Sequence, residues 1–327
     1  MRIAITGSIA TDHLTTFHGR FADHLVGGQL DKISLSFLVD DLDVRRGGVA
    51  ANICFGLARL GLRPALVGAA GPDFADYRAW LEKHGVDTES VHISATRQSP
   101  RFMCVTDRDL NQIASFYSGA MTEAREIDLG PLVDRFDGLD LLLVSPNDPA
   151  AMLRHTEQCR ELSVPFAADP SQQLARLEPA EVRTLVAGAT WLFTNEYESA
   201  LLQERTDWTH EQVLDQVGRW VTTKGAGGVV IEESGEEPIL VPAVPARQTA
   251  DPTGIGDAFR AGFLAGIAWD WPVERSAQLG CTLATVVLES VGTQEYQLTA
   301  EDLVTRIAET YGSTVAEEIS PSLADVS

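Results

Sequence analysis

The alternation of short apolar runs with longer helical stretches is the feature that most limits how this chain of 327 residues can fold. Apolar runs without intervening polar residues are typical of strands that are buried on both faces of a parallel sheet. The stretches between them have helical spacing, and two of them end at Gly61 and Gly85, as helices often do. This order predicts an α/β fold with a mostly parallel sheet covered by helices. The predicted strands are 3–5, 65–67, 139–144, 165–168, 190–193 and 228–231, and the predicted helices are 50–60, 76–84, 149–162, 179–187, 196–205, 210–221, 257–269, 274–290 and 300–316.

Two segments, 12–41 and 98–119, interrupt this alternation. The second contains two short strands joined by the polar turn 107–111, a pattern typical of an antiparallel hairpin. We expect the two segments to form a small sheet outside the main one, and edge strands of a single sheet are the alternative. The tail after Ile319 is expected to be frayed. The predicted strands of the small sheet are 33–39, 101–106 and 112–117, and the predicted large domain comprises 1–11, 42–97 and 120–327.

The charge of the chain narrows the classes of partner. It has 25 basic and 47 acidic residues, so its formal net charge is −22. This charge argues against broad binding of nucleic acids or anionic membranes, because that binding depends on basic residues that neutralise phosphates. A small anionic ligand stays compatible with this charge, provided that local donors exist. The sequence gives no reason for the acidity itself.

The chain lacks the signals of export and of membrane insertion. No apolar run approaches the roughly 20 residues that a membrane-spanning helix needs, and residues 1–7 have no apolar core or cleavage site of a signal peptide. The four cysteines and seven histidines are widely scattered, so neither a zinc site nor a redox pair is predicted. We therefore expect a reduced, cytoplasmic protein.

The strongest local signal is the segment 251–259, in which a polar, glycine-rich turn leads directly into a predicted helix. Unpaired amides and the positive dipole end make such a helix start a phosphate-binding site, and Gly254 and Gly256 let the backbone approach an anion closely. Asp257 lies in the first turn, where it is a candidate general base for a hydroxyl that attacks phosphorus, with a helix cap as the alternative. Because the dipole also favours an ionised carboxylate, we expect a low pKa for Asp257 and an orienting role towards the hydroxyl.

Other polar residues accompany turns earlier in the chain. Asn52 follows Gly48 by one helical turn and offers both a donor and an acceptor, which suits vicinal hydroxyls. Asp12 could accept hydrogen bonds from two adjacent hydroxyls. A solvated asparagine and a loop aspartate are the simpler interpretations of these two residues. The segment 223–228 could be an ordinary connection, and Glu198 a surface residue of a helix.

Taken in order, these segments resemble the ribokinase-like (PfkB) family of small-molecule kinases over nearly the whole chain. The resemblance is carried by Asp12 and by 47–52, 195–198, 223–228 and 251–259. It implies a three-layer α/β/α sandwich with a small β-sheet lid, and it implies ATP and Mg²⁺ as cofactors. The implied catalytic residues are Asp257 as base and Gly254, Ile255 and Gly256 as anion hole, and the implied nucleotide site comprises Asn195, Glu198 (on Mg²⁺, through water), Thr223, Gly225, Gly228 and Gly256.

Within the family, five segments are similar to bacterial adenosine kinases of the actinobacterial type: 7–14, 34–41, 112–117, 167–176 and 289–294. This similarity implies K⁺ activation near Asp251 and 290–293, and a homodimer formed through the lid. Stacking of an aromatic ring on a base contributes about 1–3 kcal/mol and favours a nucleoside over a bare sugar. The implied substrate residues are Ser8, Asp12, Gly48 and Asn52 on the ribose, Ser36 on the adenine from the lid, Phe116 with Phe102 stacking on the purine, and Gln172 and Gln173 as further polar contacts.

The expected function is ATP-dependent phosphorylation of the 5′-hydroxyl of adenosine to AMP, a step of purine salvage. Two alternatives stay open: a ribokinase-type sugar kinase, in which the phenylalanines only fill the lid core, and a non-catalytic nucleoside sensor. P-loop, dinucleotide-binding, zinc-protease, serine-hydrolase and protein-kinase motifs are absent from the sequence.

Overall fold

The computed structural model describes residues 1–24, 36, 38–324 and 326. These residues form two sheets, eleven α-helices and several short 3-10 helices. The strands are β1 (Ile3–Thr6), β2 (Ala10–Thr16), β3 (Asp41–Gly47), β4 (Ala65–Ala70), β5 (Val91–Ile93), β6 (Arg101–Thr106), β7 (Gln112–Tyr117), β8 (Leu141–Val144), β9 (Phe166–Ala168), β10 (Trp191–Asn195), β11 (Arg219–Thr223), β12 (Val229–Glu232) and β13 (Ile239–Val241). The α-helices are α1 (Val49–Arg59), α2 (Ala75–Lys83), α3 (Gly130–Arg135), α4 (Pro149–Glu161), α5 (Pro179–Val186), α6 (Glu196–Thr206), α7 (His210–Leu214), α8 (Ile255–Ala268), α9 (Val273–Leu288), α10 (Ala300–Tyr311) and α11 (Ser313–Ile319).

The large sheet has nine strands in the order β13-β12-β11-β10-β9-β8-β1-β4-β5. All neighbours are parallel except at one edge, where β12 runs antiparallel to both β11 and β13. Side chains of its central strands alternate between two apolar layers. Ile3 and Ile5 of β1 pack in one layer, and Ala4 packs in the other. The sheet is therefore buried on both faces, as its apolar runs predicted.

Helices cover both faces. One layer buries residues of α1, α2 and α8 to α11, including Phe55 and Phe263. The other buries residues of α3 to α7, including Leu185 and Leu202. The predicted α/β/α sandwich is thus confirmed. The N-terminus of α8 lies at Gly254, close to the carboxyl ends of β10 and β11, because residues of all three line one cavity.

The small sheet has four strands in the order β3-β2-β6-β7. β6 and β7 form the predicted antiparallel hairpin, and β2 pairs with β3 and β6. The sheet begins at Ala10 and includes β3 as far as Gly47. The predicted boundary at 41/42 therefore cuts across a strand of this sheet. The predicted strand 33–39 falls mainly on residues 33–35 and 37, which lie outside the described residues.

Three further predictions, for two helices and for the tail, also differ from the structure. The helix predicted over 210–221 ends at Leu214, because the apolar and β-branched residues of 219–223 pair with β10 as strand β11. The helix predicted over 300–316 is interrupted at Gly312, whose φ is 99°. The described part of the tail is packed rather than frayed, since Ser320–Leu323 form a 3-10 helix and Leu323 and Val326 are buried in the core.

Within the part of the chain that the structure describes, no helix combines the length and apolarity that crossing a membrane requires. The four cysteines are buried and unpaired.

Candidate active site

Two cavities meet at the N-terminus of α8. Gly254 has a φ of 78°, and the chain turns there into the helix, which leaves the first amides of α8 without helical partners. A cavity of about 780 Å³ lies between this turn and the small sheet, and a second, of about 620 Å³, lies on the other side against α9. Ile255 and Gly256 line both cavities. The glycine-rich turn is therefore a shared wall, and a group that it binds is reachable from both sides.

Asp257 lines the larger cavity and accepts a hydrogen bond from Asn52, whose Nδ2 lies 2.9 Å from its Oδ2. Burial raises the pKa of Asp257 to about 6, and the Asn52 bond and the charge of Arg260 only partly oppose this effect. The expectation of a low pKa is therefore wrong, because loss of solvation has the largest effect on the pKa of this carboxyl. A carboxylate with this pKa is ionised at neutral pH and accepts a proton more readily than an ordinary aspartate.

A buried hydrogen-bond network fixes the side chain of Asn52. Its Oδ1 accepts hydrogen bonds from Thr293 Oγ1 (3.0 Å) and from Gln294 Nε2 (2.9 Å). Gln294 also donates to the hydroxyl of Tyr77 (2.6 Å) and accepts from the indole of Trp80 (3.2 Å). With its oxygen occupied, Asn52 presents its amide hydrogens to Asp257. Asn52 therefore positions Asp257, besides lining the cavity as predicted.

A buried ion pair lies beside Asp257. Arg260 donates from Nη2 to Oδ1 of Asp169 at 2.6 Å. Burial raises the pKa of Asp169 to about 7 against the opposing charge of Arg260. Burial lowers the pKa of Arg260, but the charges of Asp169, Asp257 and Glu198 outweigh it and raise the pKa above its ordinary value. Arg260 thus stays charged among three carboxylates.

The residues predicted for the ribose line the larger cavity together. Ser8 is buried, and its Oγ accepts from the amide of Val49 at 3.0 Å, so it also caps α1. Burial raises the pKa of Asp12 to about 6, while the charge of Arg45 lowers it. Gly48 has a φ of 95°, and a Cβ there would lie 2.6 Å from the amide nitrogen of Ala10. A side chain at position 48 would therefore clash with the backbone of the residues that lead into β2.

The opposite wall of the cavity comes from the small sheet and the loop after β9. Phe102 and Phe116 are directly paired across β6 and β7, and Phe116 is 49 % exposed. Gln172 and Gln173 also line the cavity, but Gln173 is buried and donates from Nε2 to the carbonyl of Asn147 at 2.7 Å. Ser36 is exposed and is not among the lining residues, so the structure does not bring it to the predicted position.

Asn195 and Glu198 cap the N-terminus of α6 reciprocally, each side chain accepting from the other's amide at 2.8 Å. Oε1 of Glu198 also accepts from Ser171 Oγ at 3.3 Å. Both residues line the larger cavity, Gly228 lines the second, and Thr223 and Gly225 line both. The described residues hold no cluster of three or more metal-ligating side chains. A single carboxylate fits Mg²⁺ that is held mainly by nucleotide phosphates and water.

Asp251, predicted near a K⁺ site, already has internal partners. It accepts from the amides of Thr253 (2.9 Å) and Gly292 (3.1 Å), and Arg45 Nη1 lies 3.5 Å away. Burial raises the pKa of Asp251, but these hydrogen bonds and the Arg45 charge outweigh burial and leave the pKa below its ordinary value. Arg45 belongs to β3, so this contact joins the small sheet to the loop before α8.

Sequence reasoning missed several of these residues. Arg260 and Asp169 are 91 positions apart, and only the folded chain pairs them. The signal available in the sequence was an arginine four residues after Gly256, in a helix whose only other charged residue is Asp257. Gln294 and Tyr77 gave no comparable signal. Arg176, which was not singled out either, lines the cavity and is exposed.

Comparison with known proteins agrees with this geometry. Residues 21–300 match the family model described as pfkB family carbohydrate kinase. A nucleoside kinase of Methanothermobacter thermautotrophicus is 31 % identical over 252 residues, 76 % of this chain and 80 % of that protein. A nucleoside kinase of Methanocaldococcus jannaschii is 27 % identical over 80 % of this chain and 85 % of that protein.

A solved structure gives the same result. The nucleoside kinase of Burkholderia thailandensis in complex with inosine has a TM-score of 0.82 at 32 % identity, covering 95 % of this chain and 98 % of that one. These relatives are named for nucleosides in general, so the predicted similarity to actinobacterial adenosine kinases is supported only at the level of the family. The chain belongs to the pfkB carbohydrate kinase family and is a nucleoside or sugar phosphotransferase with the ribokinase-like fold.

Proposed function

We propose that this kinase transfers the γ-phosphoryl group of ATP to the 5′-hydroxyl of adenosine. The observation that carries the proposal is the pair of cavities that share the glycine-rich turn, with Asp257 facing the larger one. The larger cavity would hold the nucleoside, and the second would hold the adenine end of ATP, with its phosphates at the turn. Related nucleoside kinases support a nucleoside acceptor, since one of them is solved with inosine.

The proposed transfer is an in-line displacement at the γ-phosphorus. The 5′-oxygen forms a bond to the γ-phosphorus while the bond from that phosphorus to the bridging oxygen breaks. The hydroxyl proton passes to the carboxylate of Asp257, and the bridging oxygen keeps the electron pair as ADP leaves. The amides of Ile255 and Gly256 stabilise the charge on the phosphoryl oxygens.

Mg²⁺ would be held near Glu198 through water and by the ATP phosphates, and it would supply charge neutralisation to them. Glu198 keeps its orientation through the mutual cap with Asn195. Thr223 and Gly225 line both cavities and would contact the phosphate chain between them.

Adenine recognition is assigned to Phe102, Phe116, Gln172 and Gln173. The two phenylalanines share the face of the small sheet that bears Asp12, because Asp12, Phe102 and Phe116 are consecutive cross-strand partners. A purine above the ribose site would stack on them and contact the glutamines. Ser36 is not retained in this assignment, because it lies outside the cavity wall.

The first experiment is ADP release by the purified protein with ATP, Mg²⁺ and K⁺, comparing adenosine, inosine, guanosine, ribose and fructose 6-phosphate. Preferred turnover of adenosine supports the proposal. Turnover of ribose alone would be consistent with the fold and with Asp257 as the base, but it would refute the proposed purine site. Asp257→Asn, which keeps the shape and can still accept from Asn52, is expected to lower kcat by orders of magnitude with little change in KM.

We also propose a homodimer formed through the small sheet. Its face opposite the cavity bears five exposed apolar residues, two on β3, one on β6 and two on β7, and a second copy of this sheet would cover them. The mass in solution at micromolar concentration tests this, and Val44→Lys should give the monomer; a monomeric wild type refutes it. The five residues are Leu42, Val44, Met103, Ile113 and Tyr117.

Activation by K⁺ is proposed for the loop that contains Asp251 and the segment 290–293. The amide of Gly292 donates to Asp251, so the two segments are in contact. Equal kcat and KM in Na⁺ and K⁺ would refute this proposal.

A further inference from the structure

Arg260 lies directly under the glycine-rich turn. It is in the second turn of α8, four residues after Gly256, so its side chain runs back towards the start of the helix. A Cβ built on Gly256 would come within 2.8 Å of Nη1 of Arg260. Gly256 therefore leaves room for a guanidinium as well as for an anion.

This guanidinium is buried but incompletely bonded. Arg260 is 7 % exposed and lines the larger cavity. Nη2 binds Asp169, and Nε is buried without a hydrogen-bond partner among the described residues. Nη1 makes no hydrogen bond with a described residue either, and it is the nitrogen that lies next to Gly256 at the cavity. A charged donor that is free at a cavity wall is able to bind an anion there.

The surrounding charges indicate where that anion would lie. The electrostatic partners of Arg260 are Asp169, Asp257 and Glu198. Asp257 faces the acceptor, and Glu198 lies on the side of the nucleotide phosphates. The phosphoryl group in transfer would pass between them, next to the turn that Arg260 supports.

We propose that Arg260 is a catalytic residue whose Nη1 binds the phosphoryl group during transfer. The inference rests on the proposed function and adds to it a charged donor beside the backbone amides. Asp169 is then a positioning residue that fixes the guanidinium through Nη2. Because such a donor is preorganised to bind the charge on the phosphoryl oxygens, it contributes a large factor to kcat.

The test compares Arg260→Met and Arg260→Lys with the wild type. We expect kcat of Arg260→Met to fall at least about 100-fold, as for the loss of one preorganised donor, with KM for the nucleoside nearly unchanged and partial recovery in Arg260→Lys. Arg306→Met is the matched control, since Arg306 is also buried and ion-paired but lines neither cavity. The control is expected to lose stability and keep kcat.

A binding measurement separates this inference from the proposed function. MgADP with aluminium fluoride mimics the phosphoryl group in transfer and needs no nucleoside. Wild type should bind MgADP with aluminium fluoride more tightly than MgADP alone, and in Arg260→Met the ratio of these two affinities should fall at least about 10-fold. An unchanged preference, or a kcat within about 3-fold of wild type, overturns the role of Arg260. A wild type that phosphorylates no nucleoside overturns the proposed substrate, while the binding result still decides the role of Arg260.

The variant Arg260→Met leaves Asp169 buried without its partner, which could unfold the protein. The double variant Asp169→Asn, Arg260→Met removes both charges and is the second test. If it folds, as measured by its melting curve, it must show the same loss of preference for the fluoride complex; retention of that preference contradicts the inference.

Discussion

Replacing Asn52 by leucine should shift the pH dependence of catalysis upwards. Leucine has a similar volume but removes the Nδ2 donor that lies 2.9 Å from Asp257. A hydrogen bond to a charged group contributes about 1.5–3 kcal/mol, which corresponds to roughly one to two pKa units. The bond stabilises the ionised carboxylate, so its loss raises the pKa of Asp257 from about 6 towards a value about one to two units higher.

The assay is kcat/KM for the acceptor between pH 5 and 9, which reports the pKa of the free enzyme. In the wild type, kcat/KM should fall as the pH drops through about 6, where Asp257 takes up a proton. In Asn52→Leu this fall should begin at higher pH, with partial recovery of kcat/KM at pH 9. Ser8→Ala is the control, because Ser8 lines the same cavity but bonds to Val49 and not to Asp257. A folded Asn52→Leu whose profile moves by less than about 0.3 pH units would refute the assigned role of Asn52.

Three other outcomes are expected. Asp257→Asn should melt at a higher temperature than wild type at pH 7–8, because it removes a carboxyl whose pKa burial raises from 3.8 to about 6. Since the Asp257 side chain is partly exposed, the expected gain in the free energy of unfolding is roughly 1–2 kcal/mol. The gain should vanish below the ordinary pKa of aspartate, where the wild-type carboxyl is neutral in both the folded and the unfolded state. Phe116→Ala should raise KM for adenosine roughly 5- to 150-fold, the loss of about 1–3 kcal/mol of stacking, with little effect on any turnover of ribose. Gly48→Ala should lower the free energy of unfolding in urea by more than about 1 kcal/mol; Gly61→Ala, also at positive φ but with open space around it, should cost less, and equal losses would refute the steric argument.

Much of the fold could be predicted because its signals are local. Apolar runs identified most of the central strands, and glycines marked the ends of α1 and α2. The strand β11 was missed because the sequence before it continues a helical pattern, and only pairing with β10 decides its conformation. The packing of Leu323 likewise depends on distant residues of the core.

The candidate site was predictable where one segment carries the chemistry, as in the turn that contains Gly254 and Asp257. It was not predictable where function depends on distant residues. The pKa of Asp257 is set by burial, which the sequence of its helix does not reveal. The network of Asn52 with Gln294 joins residues 242 positions apart. Arg260 gains its partner only because folding brings Asp169, the residue after β9, to this helix.

The two cavities that share Ile255 and Gly256 have a kinetic consequence. Because the two cavities are separate volumes that share one wall, the acceptor and the nucleotide can be bound at the same time. The phosphoryl group can then pass directly from one to the other, without a phosphorylated form of the enzyme as an intermediate. Initial-rate plots against both substrates should therefore intersect rather than run parallel. A single molecule that joins a nucleoside to ADP across this wall would gain from the high effective concentration of its second half, and should bind more tightly than either part.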